Sequence, residues 1–99
     1  MTRVVAFVPD LMDRSKVAAA GADVTFVATP AALVGADADL VVVDLGRPGV
    51  LDVLASLEIP VIGFASHVDR DLMASARAAG CSQVLARSAF FSGVARLLR

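Results

Sequence analysis

The residues able to do chemistry in this chain are few, and they fall where short apolar runs end. Leu40-Val41-Val42-Val43-Asp44 is the clearest case. An apolar, β-branched run suits a parallel strand covered on both faces, and ligands in open α/β sheets gather beyond the carboxyl ends of such strands. Asp44 stands at that edge, ahead of a Pro48-Gly49 turn. A carboxylate there can accept a phosphoryl group, hold a cation, or simply end a core strand. Asp10 and Asp13 follow the first apolar run, and Asp10, directly before Leu11, reads first as a helix N-cap. Ser66, His67 and Asp69 follow the fourth run, but neighbours on one extended segment point apart and make no hydrolase triad. Arg87 follows the fifth run. Cys81, the one cysteine, excludes an internal disulfide and a cysteine metal cluster, and it reads as a buried thiol.

The elements that must position these side chains alternate regularly. Strands are expected at about Arg3–Val8, Asp23–Ala28, Asp39–Asp44, Pro60–Ala65 and Ser82–Ala86, with five helical stretches between and after them. Right-handed crossovers leave few topologies for such repeats, and the one expected is a flavodoxin-like α/β fold: a parallel sheet in order 2-1-3-4-5, with two helices on one face and three on the other. Asp10, Thr29 with Pro30, and Ser88 are the expected helix starts; Gly21, Gly35 and Gly80 are the expected terminators. Phe90, Phe91, Val94, Leu97 and Leu98 recur at helical spacing, as do Leu72, Met73, Ala76 and Ala79, so both groups should face the core. The first helix should run from about Leu11 to Ala20.

Composition narrows the function classes. Ninety-nine residues, 58% hydrophobic and 19% charged, suit one domain spanning 1–99 and argue against disorder. A net charge of −1 with no basic stripe gives no reason to expect nucleic acid or an anionic membrane surface as a partner. The start breaks at Pro9 and lacks the pattern of a secretory signal, and the apolar runs are too short to span a bilayer, so a cytoplasmic location is expected. The segment Pro9-Asp10-Leu11-Met12-Asp13 is acidic and bulky, unlike the small-residue loop that cradles a flavin phosphate. No cofactor is expected beyond a weakly held Mg²⁺.

Asp44-Leu45 with Pro48-Gly49, and the segment Gly80–Phe90, together resemble the receiver domains of two-component response regulators, and the element order of the whole chain is similar to theirs. The resemblance puts Asp44 at the phosphoacceptor position, Arg87 at the family's lysine, and Ala65, or Ser66 one place on, at its hydroxyl residue. It also implies losses. Val8 and Pro9 stand where the family has an acidic pair, which leaves Asp10 and Asp44, with Asp13 nearby, as a weak Mg²⁺ site at best. Ser88 replaces the proline of a characteristically cis Lys-Pro bond, so the Arg87–Ser88 peptide should be trans.

The function implied is that of a stand-alone, atypical receiver-like signalling domain, or pseudo-receiver, acting by protein–protein contact with a degenerate site. It is not expected to be an enzyme beyond self-phosphorylation. The alternative is a single-domain response regulator that takes a phosphoryl group on Asp44 from a partner histidine kinase. The partner would be that kinase or a downstream regulator, and a homodimer through about Asp69–Leu98 fits the weakly charged Ala74, Ser75 and Ala78. With Mg²⁺ scarcely held, Arg87 is the nearest cation at the sheet edge, and an Arg87–Asp44 ion pair is expected.

Overall fold

The computed structural model describes every residue, Met1–Arg99. Five strands, β1 (Arg3–Phe7), β2 (Asp23–Phe26), β3 (Leu40–Asp44), β4 (Val61–Ala65) and β5 (Gln83–Ala86), form one sheet. All neighbours pair in parallel and the order is β2-β1-β3-β4-β5, as expected. Helix α1 (Leu11–Ala18) and the C-terminal helices α4 (Arg87–Ser92) and α5 (Val94–Leu97) cover one face. The other carries a 3₁₀ turn (Pro30–Leu33), α2 (Val50–Leu54) and α3 (Arg70–Ala78). With the C-terminal pair, which follows one stripe, counted as one helix and the 3₁₀ turn as another, two helical elements on one face stand against three on the other.

Strand β3 is the axis of the core. Val42 points into the cluster with Val4, Ala6, Ile62, Phe64, Phe90 and Leu98, whereas Val41 and Val43 point into the cluster with Leu33, Val50, Leu54 and Ala76. Each such valine, fully removed from water, stabilises the fold by roughly 1.5–3 kcal/mol. On β4, Gly63 is required by a close approach: a Cβ there would lie 2.7 Å from Leu45 Cδ2, itself buried. The Cys81 thiol is buried as expected, and desolvation pushes its pKa up.

Three sequence expectations change locally. Thr29 and Pro30 start only the four-residue 3₁₀ turn, and Thr29 makes no side-chain cap, because Gly35 at φ +75° turns the chain before a full helix can form. Ser88 is not a cap. Strand β5 pairs to Ala86 and α4 begins at Arg87, so Ala86 holds the N-cap position and Ser88 sits exposed in the first turn. Gly93 divides the last helix, yet Phe90, Phe91, Val94, Leu97 and Leu98 still share one face. There is no cis peptide bond, so Arg87–Ser88 is trans. No helix is long and apolar enough to cross a membrane.

Candidate site at the carboxyl edge of the sheet

Asp44 ends β3 with its side chain only 11% exposed. Its Oδ1 accepts from the Gly46 backbone N–H at 3.1 Å, a local bond of the kind aspartate makes two residues on in a turn. Oδ2 accepts from Arg47 Nε at 3.3 Å. Gly49, at φ +85°, then takes the left-handed conformation that lets the chain enter α2 at once. Both oxygens of the Asp44 carboxylate are therefore engaged by residues within three positions of it.

The second buried acid is Asp13, in the first turn of α1 and 3% exposed. Arg87 Nη2 donates to both of its carboxylate oxygens, at 2.7 and 2.9 Å. The guanidinium lies 5.3 Å from the ring centres of both Phe64 and Phe91, and Lys16 Nζ stands 5.0 Å from the Phe91 ring. Arg87 is held charged above its ordinary range, first by the bond to Asp13 and then by the nearby charges of Asp13, Asp44 and Asp10.

The expected Arg87–Asp44 ion pair is not formed, and the reason is lateral. Phe64 is the register partner of Asp44 on the strand between β3 and β5, so its side chain leaves the same face of the sheet. Its ring lies 5.3 Å from the guanidinium carbon, on the strand between the two groups. Arg87 passes over that ring to α1, while Asp44 finds Arg47 three residues away at little loop-closure cost.

Asp10 is the N-cap of α1, its Oδ1 accepting from the Asp13 backbone N–H at 2.9 Å. That bond, followed by a second from Met12 and by the charges of Arg47 and Arg87, holds its carboxyl below the usual range although the group is exposed. A folded-state pKa below the unfolded one contributes stability that is present above the unfolded value and lost as the pH falls through the folded one. Acid titration of unfolding should show this loss in wild type and a shallower one in Asp10→Asn, which keeps the cap without the charge. Superimposable pH profiles would show that Asp10 has no such role.

Ser66 lies just beyond β4, exposed, and its hydroxyl makes no hydrogen bond; Ala65, buried, ends the strand. His67 is exposed in the same loop. The carbonyl of Val8, at the end of the first apolar run, accepts from Arg14 Nε at 2.7 Å. A hard divalent cation needs several oxygens free to coordinate it. Here Asp13 is turned to Arg87, Asp44 to Gly46 and Arg47, Asp10 to the helix start and the Val8 carbonyl to Arg14, and no three metal-ligating side chains converge. The residues present do not fit the cation. Arg47 was missing from the sequence reading and Asp13 entered it only as a ligand; the i, i+3 spacing of Asp44 and Arg47 was the available signal for the first.

No family model and no curated protein matches this chain. Solved structures do. A response regulator from Hahella chejuensis shares 19% identity at a TM-score of 0.83, covering 99% of this chain and 92% of its own. The phosphorylated cyanobacterial phytochrome response regulator RcpA shares 16% at 0.78, over 98% and 88%. The Mn²⁺-bound form of response regulator Rcp1 shares 13% at 0.79, over 98% and 91%. At these identities the likeness establishes architecture, and the chain has the fold of response-regulator receiver domains.

Proposed function

We propose that this protein is a receiver-like signalling domain that acts through protein–protein contact, with Asp44 kept at the acceptor position but held in one ion-paired state instead of being cycled by phosphorylation. The observation that supports this most is the occupation of both Asp44 oxygens by Gly46 and Arg47. Phosphoryl transfer to a carboxylate calls for an oxygen free to attack and a cation that neutralises the donor. The Ser66 hydroxyl offers the site no bond, and the acids that would share a metal with Asp44 are engaged elsewhere. On this reading the domain is not an enzyme, and its partner is a protein, either a kinase or a downstream regulator. The face from about Asp69 to Leu98, with Ala74, Ser75 and Ala78 exposed, is the proposed contact surface for that partner or for a second copy.

Intact-mass analysis after incubation with acetyl phosphate and Mg²⁺ tests the reading, and the expected product is unmodified protein. One observation favours the alternative of a phosphorylatable regulator: Arg47 is 41% exposed, and a pair so open to solvent contributes only about 0–1 kcal/mol and can be displaced. A stoichiometric, Mg²⁺-dependent gain of one phosphoryl group, absent in Asp44→Asn, would establish that alternative.

A further inference from the structure

We infer that Arg87 is the resident cation of the carboxyl edge: its guanidinium stands in for a divalent ion, neutralising Asp13 and tying α1 to the end of β5. The inference rests on the functional reading only for the donor-occupied carboxylates. Asp13 and Arg87 are 74 residues apart, and one nitrogen reaching both oxygens of a buried acid joins two elements distant in the sequence. Asp10, Asp13 and Asp44 are spread along this edge without converging, two guanidiniums, Arg47 and Arg87, lie among them, and the field of Arg87 reaches all three acids. An arriving Mg²⁺ or Mn²⁺ would have to displace a guanidinium that is fixed on two aromatic faces as well as on its carboxylate. Beyond Asp13 it would meet oxygens already engaged, Asp10 Oδ1 and Asp44 Oδ1 by backbone N–H groups and Asp44 Oδ2 by Arg47.

The wild-type protein, labelled with ¹⁵N, can be titrated with Mn²⁺, whose unpaired electrons broaden amide signals near a bound ion. No saturable broadening is expected around residues 10–14, 44–47 and 87. Saturable broadening centred there and abolished by Asp44→Asn would overturn the inference. A second arm measures thermal midpoints of Arg87→Met, Asp13→Asn and the double variant; Met keeps an unbranched apolar stem and removes the guanidinium with its charge and donors. The double variant should lose less than the sum of the singles, and Arg87→Lys should keep part of the midpoint. Additive losses would overturn the inference, because a packing role alone predicts them. If the Met variant does not fold, the same cycle is run with Arg87→Lys. Saturable Mn²⁺ binding without phosphorylation would sink this inference alone, and phosphorylation of Asp44 in a protein with no Mn²⁺ site would sink the functional reading alone.

Discussion

Arg87→Ala is expected to destabilise the protein by about 2–3 kcal/mol at neutral pH. The side chain of Asp13 is 4% exposed, and without its partner it becomes an uncompensated charge in the interior. Breaking a fully buried pair costs roughly 3–5 kcal/mol. The Arg87 side chain is 41% exposed, so water can follow into the space it vacates, which lowers the figure. Loss of the contacts with Phe64 and Phe91 acts in the opposite direction, by about 0.5–1 kcal/mol each. Urea denaturation at neutral pH measures the loss. A variant with the wild-type midpoint at neutral pH would mean that the pair does not hold the fold.

Phe64→Ala should have the largest effect of any single change at the site, about 3–5 kcal/mol, the range for truncating a buried aromatic. The ring is fully buried, stacks on Phe90 at 4.8 Å and meets Phe91 edge-on at 5.1 Å. It is also the surface over which Arg87 reaches Asp13. Domains of this kind are stable by only ~5–15 kcal/mol in total, so the variant would sit near the limit of folding. Phe64→Leu fills most of the volume and should lose clearly less, since swaps that keep volume usually cost under about 1.5 kcal/mol. Thermal denaturation followed by circular dichroism ranks the three proteins. Equal losses in the Ala and Leu variants would show that ring stacking, and not filled volume, is what Phe64 contributes.

The sheet was legible in the sequence because its cause is periodic and local. Val41, Val42 and Val43 suit a strand covered on both faces, glycines 21, 35 and 80 turn the chain at positive φ, and right-handed crossovers leave few orders for five such units. The same reasoning put Asp44, Asp10 and Arg87 on one edge and Asp10 at a helix start, which is where they are. Which of those charges pair was decided only by the tertiary structure. Sequence periodicity places a backbone position on an edge, but a guanidinium on a long flexible stem takes the partner that packing leaves open to it. Phe64, on the intervening strand in register with Asp44, offers its ring to the Arg87 guanidinium, which pairs with an acid 74 residues away, while Asp44 pairs with Arg47. Register and ring volume act across strands, and no single segment of the chain contains both.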